Sequence, residues 1–341
     1  RMRSALKDEL RAQGVFDALR VPEEHLNDVQ LRVQECSRTG QMWLSDAAAR
    51  MLEALPYPRY YLDFETIKLA VPRWANTSPH RTQVPFQWSC HIEDASGELR
   101  HTMFLDVTGD DPRRPFAQSL IDVVGETGPI LVYFQSFEKG RIAELTALYP
   151  DLAERLEAIN DRVIDLLPLT RESYYHPQMR GSWSIKAVLP TIAPDLGYGQ
   201  IAVSDGTAAQ TAYAEIVHPA TTAARRELLT KGLREYCTLD TLAMVRLAHF
   251  LGETTTWRYF LPDLDRESGD FPQDAQDGAL LRQAAELLRE RCRMADNRVI
   301  TDPIAWLQRK LRTGYARTKE LVQELAQAGV LSPLAERNKQ P

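Results

Sequence analysis

The chain has 341 residues, 44% hydrophobic and 26% charged, with a net charge of −6. This balance excludes a disordered or collagen-like polypeptide, and the length suits two domains, or one domain with an appendage, each able to bury its own core. No run of roughly 18 apolar residues occurs, which excludes a transmembrane helix, so no membrane partner is expected.

Residues 1–55 read as a helical, amphipathic segment, with Leu6, Leu10, Phe16 and Leu19 early and Ala47, Met51, Leu52 and Leu55 late; Pro56 and Pro58 end it. The period then changes. Tyr60-Tyr61-Leu62-Asp63-Phe64-Glu65 is a β-type segment, residues 86–92 form a second and 102–105 a third, with Ser96-Gly97 marking a turn. Helix and strand alternate afterwards: helix over 116–124, a short buried strand at 130–133, helix over 139–148, and a fifth strand at 163–166. A further helix begins at Ser184, and a long amphipathic one covers 225–251. Three strands in a meander followed by α-β-α-β-α predict a mixed five-stranded α/β sheet with flanking helices across residues 56–252.

Residues 253–276 have the composition of an acidic linker, and residues 277–341 read as a separate helical unit. The tail carries 12 Lys+Arg and 8 Asp+Glu, a local +4, which leaves −10 for residues 1–276. An acidic body suits carboxylates that gather cations, and a basic tail suits a part that meets phosphate. Cys36, Cys90, Cys237 and Cys292 stand far apart with no redox or metal-ligand spacing, so reduced thiols and a cytoplasmic location are expected.

Hydrolysis of a phosphodiester by paired divalent cations needs several carboxylates converging within a few ångströms. Three segments offer them. Side chains alternate along a strand, so Asp63 and Glu65 share one face while Leu62 and Phe64 share the other. Glu138 falls in a first helical turn after the apolar strand at 130–133, where it would also suit the helix dipole. In Tyr236-Cys237-Thr238-Leu239-Asp240, the phenol and the carboxylate lie four apart on one helical face. Each alone has a plain alternative: an edge strand, a dipole partner, a solvated helix face. Their order along the chain carries more weight.

Asp-x-Glu on a first strand, an acid after a Phe beyond a later strand, and Tyr-x-x-x-Asp on a late helix together resemble the DEDDy branch of DnaQ-like 3′→5′ exonucleases, over about residues 57–252. The resemblance implies a ribonuclease-H-like fold, with Asp63, Glu65, Glu138 and Asp240 holding two Mg²⁺ or Mn²⁺ ions and Tyr236 orienting or helping to deprotonate the attacking water. This chain departs from the pattern at the second motif, with Glu138 in place of Asp and Phe134 in place of Asn. Asp165 falls where such chains often carry an acid near the site, and Lys186 is a candidate phosphate contact. The phrases Leu62-Asp63-Phe64-Glu65-Thr66, Ser136-Phe137-Glu138-Lys139, Gly181-Ser182-Trp183-Ser184-Ile185-Lys186 and Tyr236-Cys237-Thr238-Leu239-Asp240-Thr241 look like a little-characterised bacterial exonuclease-like family often fused behind a RecB-like nuclease domain. That likeness implies that residues 1–55 are the trailing end of such a domain and that the protein works in a larger nuclease assembly.

In the tail, helical patterns cover 279–292, 303–312 and 316–328, with a turn at Thr313-Gly314. The run Leu307-Gln308-Arg309-Lys310-Leu311-Arg312-Thr313-Gly314-Tyr315-Ala316-Arg317, with Leu321-Val322 and Gly329-Val330-Leu331, is similar to the gamma domain of FtsK-type DNA translocases, a winged helix. The likeness implies that Arg309, Lys310 and Arg312 lie near the duplex backbone and that Arg317 and Lys319 lead a recognition helix. Here Ala316 and Glu320 stand where that family tends to have Asn and a second Arg on the recognition helix. The expectation is therefore a DNA exonuclease, with a single strand or 3′ end at the carboxylates and duplex at the tail, acting in DNA repair or antiviral defence. An exoribonuclease, or an inactive nuclease-like binding or assembly module, is the alternative.

Overall fold

In the computed structural model, residues 4–45, 47–197, 203, 205–252, 258–260, 276–295, 299–301, 303–311, 313 and 315–333 are described. The chain divides into two compact units, one made of Arg1–Glu53, Leu169–Trp183 and Leu251–Pro341 and the other of Ala54–Pro168 and Ser184–Phe250.

The second unit is built on a five-stranded sheet. Its strands are β1 (Arg59–Ile67), β2 (Val84–Glu93), β3 (Leu99–Leu105), β4 (Ile130–Val132) and β5 (Val163–Asp165), in the order β3-β2-β1-β4-β5. The pairs β1·β2 and β2·β3 are antiparallel, while β4 beside β1 and β5 beside β4 are parallel, so the sheet is mixed as predicted. The β2–β3 turn is made locally. Asp94 Oδ1 accepts from the backbone N–H of Ser96 at 2.8 Å and of Glu98 at 3.1 Å, while Gly97 takes φ 83.

Helices cover both faces of this sheet. On one, α1 (Arg113–Val124), α2 (Ser136–Leu148) and α3 (Ala153–Asp161) pack Phe116, Leu120, Ile142, Leu145 and Leu156 against Leu62, Phe64, Trp88 and Val132. On the other, α5 (Gly206–Ile216) and α6 (Ala223–Gly252) pack Tyr213, Ile216, Leu229 and Leu233 against Ile67, Val84 and Phe86, with the Phe86 and Tyr213 rings stacked at 3.9 Å. A further helix, α4 (Ile185–Ile192), packs Leu189 against Ala243 of α6. Because both faces are covered, β1 and β2 are buried almost end to end and show no inside–outside alternation. Three helices escape the periodicity reading, among them Leu166–Ser173, which starts on the last residue of the expected fifth strand. The α3 segment follows Pro150-Asp151, which reads as loop, and α5 is rich in Ala and Thr and starts from Asp205, whose carboxylate accepts from Thr207 N and Ala208 N.

The first unit contains helices Ser4–Ala12, Asp28–Thr39 and Ala47–Glu53 and an antiparallel pair of two-residue strands, Trp43–Leu44 with Tyr174–Tyr175. Asn27 and Gln30 form a capping box at the second helix, and Gly40 ends it at φ 72. Arg32 stacks on Trp43 at 3.4 Å and donates to Arg171 O at 2.8 Å. Residues 169–183 therefore pair with the N-terminal segment, although they lie within the 56–252 span of the sequence.

The C-terminal part of this unit holds β6 (Arg258–Phe260), α7 (Gln276–Ala295), β7 (Val299–Thr301), α8 (Pro303–Leu311), α9 (Tyr315–Gln327) and β8 (Ser332–Pro333). The three helices match the expected patterns, and the strands form an antiparallel sheet in the order β8-β6-β7. Leu281, Leu288, Leu307, Leu321 and Leu325 are buried together. Within the stretch expected to be linker, Arg258-Tyr259-Phe260 is a strand; two aromatics in three residues are a β signal that the surrounding Asp, Ser and Gly outweigh in a compositional reading. Residues 253–257 and 261–275 lie outside the described residues. The four cysteines are unbridged and buried, and no described helix is long and apolar enough to cross a membrane.

Candidate metal centre

The central strand positions the first two acids. In β1, Leu62 and Phe64 join the core under α1, so Asp63 and Glu65 turn to the opposite face, as the two-residue period requires. There they meet α6. One ligand oxygen from each of Asp63, Glu65 and Asp240 lies within 4.8 Å of the others. Glu65 and Asp240 are each 8% exposed, while Asp63 keeps a partly exposed edge.

The seating of α6 explains why Asp240 arrives at β1. Alternate residues of β2 form a buried polar seam toward the helix: Gln87 donates to Leu233 O at 3.0 Å, and Ser89 and His91 hydrogen-bond Thr241 Oγ1 at 2.9 and 2.8 Å. Burial, and then the neighbouring His101, push His91 down to about 4, so the imidazole is neutral near pH 7 and functions as a hydrogen-bonding spacer. The helix is thereby fixed on both sides of Tyr236 and Asp240. This seam was legible as three polar residues at period two in an otherwise apolar strand, Phe86-Gln87-Trp88-Ser89-Cys90-His91, but a search for acids passes over it.

Glu138 stands in the first turn of α2 and is 1% exposed. It lies outside the set of three, and among the neighbouring charges Asp63 acts on it most strongly. Its Oε2 is buried and accepts no hydrogen bond among the described residues. Burial first, and the neighbouring acids second, hold Asp63, Glu65 and Glu138 well above the ordinary carboxylate range.

The loop that delivers Glu138 is tied by Asp165. That carboxylate, at the end of β5, accepts from the backbone N–H of Phe134 at 2.9 Å, Gln135 at 3.0 Å and Leu167 at 2.9 Å. Its side chain is thus committed to the backbone that positions Glu138. Phe134 itself has φ 82, a conformation that costs a bulky residue on the order of 1–3 kcal/mol.

Tyr236 and Lys186 complete the site. Tyr236 is 3% exposed and hydrogen-bonds Asp240; burial, followed by the charges of Asp240, Glu65 and Asp63, raises its phenol pKa strongly. Lys186, in the first turn of α4, donates to Tyr236 Oη at 2.9 Å and lies 4.6 Å from the ring centroid. Its positive charge acts on both Asp63 and Glu65. Of the two further candidates, Lys186 therefore joins the cluster and Asp165 supports it from behind. Cys237 is a neighbour that the sequence reading did not single out, with its thiol donating to Asp63 Oδ2 at 3.8 Å.

Do these residues fit divalent cations? Six-coordinate Mg²⁺ at about 2.1 Å puts ligand oxygens about 3–4 Å apart, close to the observed spacing. The buried Glu138 Oε2, without a hydrogen bond among the described residues, and the close set of Asp63, Glu65 and Asp240 are what a cage of oxygen ligands presents. The residues fit.

In the tail, Arg317 lies at the start of α9, where its guanidinium pairs with Glu320 at 3.1 Å and Glu324 at 3.0 Å. Lys310 is exposed, 5.9 Å from the Trp306 ring centroid. Arg312 and the side chains of Arg309 and Lys319 lie outside the described residues.

Compared with known families, the chain matches the model of a domain of unknown function, DUF2779, over residues 60–184. That span contains Asp63, Glu65, Glu138 and Asp165 and stops short of Lys186, Tyr236 and Asp240. No curated protein and no solved structure matches the chain significantly. The chain is thus similar, over its sheet and first helices, to a family whose function is open.

Proposed function

We propose that this protein is a metal-dependent nuclease that removes nucleotides from the 3′ end of a DNA strand, using a DEDDy-type site on a ribonuclease-H-like sheet. The observation that carries the reading is the convergence of Asp63, Glu65 and Asp240 within 4.8 Å, with the buried Glu138 under the charge of Asp63 and Tyr236 one helical turn before Asp240. The order β3-β2-β1-β4-β5, with the acids on the central strand, supports the fold assignment.

Asp63, Glu65, Glu138 and Asp240 would hold two Mg²⁺ or Mn²⁺ ions, which activate the attacking water and neutralise the leaving oxygen. Tyr236, held protonated by its surroundings, orients rather than abstracts: its hydroxyl fixes one carboxylate oxygen of Asp240 and offers its lone pairs to Lys186 or to water. Lys186 brings a positive charge to the rim of the cluster, where it can meet a non-bridging phosphate oxygen as charge develops. Asp165 keeps the Glu138 loop from drifting.

A polyanionic substrate is supported by the connection between β1 and β2. Residues 68–83 carry Lys68, Arg73 and Arg81 and no acid, in a body whose first 276 residues sum to −10. All three cations are exposed, and they form no ion pair among the described residues. For the tail, the order α7-β7-α8-α9-β8 with β6 completing the sheet supports a winged helix that anchors duplex.

The test is degradation of end-labelled single- and double-stranded DNA and RNA with Mg²⁺, Mn²⁺ or EDTA, repeated with Asp63→Ala and Asp240→Ala. Metal-dependent shortening from the 3′ end, lost in both variants while DNA is still bound, is expected. Shortening that survives EDTA or either substitution refutes the two-ion reading. Preferential loss of RNA would reassign the substrate.

A further inference from the structure

A phenylalanine held out into solvent on a left-handed backbone is explained by neither folding nor cation binding. Phe134 combines φ 82 with 57% exposure. Burial was within reach on either side: Val132 is fully buried, and Phe137 packs on the core. The turn itself does not ask for a ring either, because Asn or Gly adopts this backbone more readily.

The conformation is nevertheless firmly determined. Asp165 accepts from Phe134 N at 2.9 Å and Gln135 N at 3.0 Å, and Phe134 O accepts from Phe137 N at 3.1 Å. The ring is therefore mounted on a braced loop, four residues ahead of Glu138 and hydrogen-bonded into the turn that carries it. Strain of this kind persists where the surroundings impose it, and it gathers at sites of function. An aromatic face fixed in advance loses little freedom when something stacks on it.

We propose that Phe134 is a stacking platform for an unpaired nucleobase of the nucleotide engaged at the carboxylate cluster, so that the site takes single-stranded or frayed ends in preference to paired ones. The inference rests on the nucleic-acid reading above and adds the residue that receives the base. Every base has a π face, so stacking selects for an available base without selecting its identity. A base in a closed pair is stacked within the duplex and committed to its partner, and it must be freed before it can lie on the ring.

The experiment compares wild type, Phe134→Gly and Phe134→Tyr. Gly keeps the backbone angle and removes the ring; Tyr keeps the ring. Binding of single-stranded oligonucleotides with 2-aminopurine at the 3′-terminal or the 5′-terminal position is followed by fluorescence in EDTA, where no cleavage occurs. A parallel set ends in an abasic 3′ nucleotide. Wild type and Phe134→Tyr are expected to quench the 3′-terminal probe, and Phe134→Gly to lose the quenching and bind the base-bearing end about 5–150-fold more weakly, the range of one base–aromatic stack. Abasic ends should bind all three proteins alike. Equal quenching and affinity in Phe134→Gly, an equal loss on abasic ends, or no binding of any oligonucleotide overturns the proposal. Ring-dependent binding without metal-dependent cleavage would instead uphold the platform and refute the nuclease reading.

Discussion

Asp63→Asn should make the metal-free protein more stable while destroying its response to divalent cations. The ligand oxygens of Asp63, Glu65 and Asp240 lie within 4.8 Å of one another. At that separation and an effective dielectric near 20, two ionised carboxylates repel by about 3.5 kcal/mol. The alternative is for one carboxyl to keep its proton, which at pH 7 costs about 4 kcal/mol for a group whose unfolded pKa is near 4. The two routes are comparable, so the amide, uncharged and nearly isosteric, should relieve about 2–3 kcal/mol. In a unit of about 180 residues that is a rise of about 5–10 °C in melting temperature.

The pH dependence has a definite sign. Asp63, Glu65 and Glu138 all have folded pKa values raised above the unfolded ones, chiefly by burial and then by each other. Their contribution to stability is fully present below the unfolded pKa, near pH 4, and is lost as pH rises through the folded values. Calorimetry in EDTA should therefore show wild type weakening from about pH 4 upward and Asp63→Asn weakening less. Mg²⁺ or Mn²⁺ at 100 times Kd should restore about 2.7 kcal/mol to wild type and little to the variant. An Asp63→Asn protein no more stable than wild type in EDTA at pH 8, or a wild type indifferent to Mn²⁺, would refute the metal cage.

Tyr236→Phe keeps the buried ring and removes the hydroxyl that joins Asp240 and Lys186, so it should fold normally and cleave roughly 10–10³-fold more slowly; an unchanged single-turnover rate would reduce Tyr236 to a packing residue. Replacing Lys68, Arg73 and Arg81 together by Gln should flatten the salt dependence of single-strand binding by about 0.7 in log–log slope for each phosphate no longer neutralised, and titrations at several salt concentrations would expose an unchanged slope. Ending the chain before Asp277 should leave cleavage of a short single strand intact, because all the carboxylates precede the cut, and should weaken duplex binding; identical duplex affinity and salt slope would make the tail a protein-docking surface.

The sequence by itself determined the elements that local periodicity can encode. The β-type segment around Asp63 and Glu65, the meander with its Ser96-Gly97 turn, the strands at 130 and 163 and the long helix through Asp240 are all set by patterns repeating within a few residues, and each is where the pattern puts it. The same-face relation of Asp63 and Glu65 and the one-turn relation of Tyr236 and Asp240 follow from the two periods alone. Periodicity failed where local signals were mixed: at α3 behind a proline, at Ala- and Thr-rich α5, and at Arg258–Phe260 amid linker composition.

Tertiary structure decided what lies beyond one element's reach. Lys186 sits fifty residues from Tyr236 in sequence, and only the packing of α4 beside α6 puts its ammonium 2.9 Å from the phenol oxygen. Asp165 reaches the Glu138 loop by accepting from Phe134 N and Gln135 N, beside its local bond from Leu167 N, since only the parallel pairing of β4 and β5 brings the strand ends together. The left-handed backbone of Phe134 is likewise imposed by that brace and has no signature in a phenylalanine. Side-chain period belongs to the local chain, whereas convergence, burial and charge coupling depend on contacts between distant segments, which no short window of sequence contains.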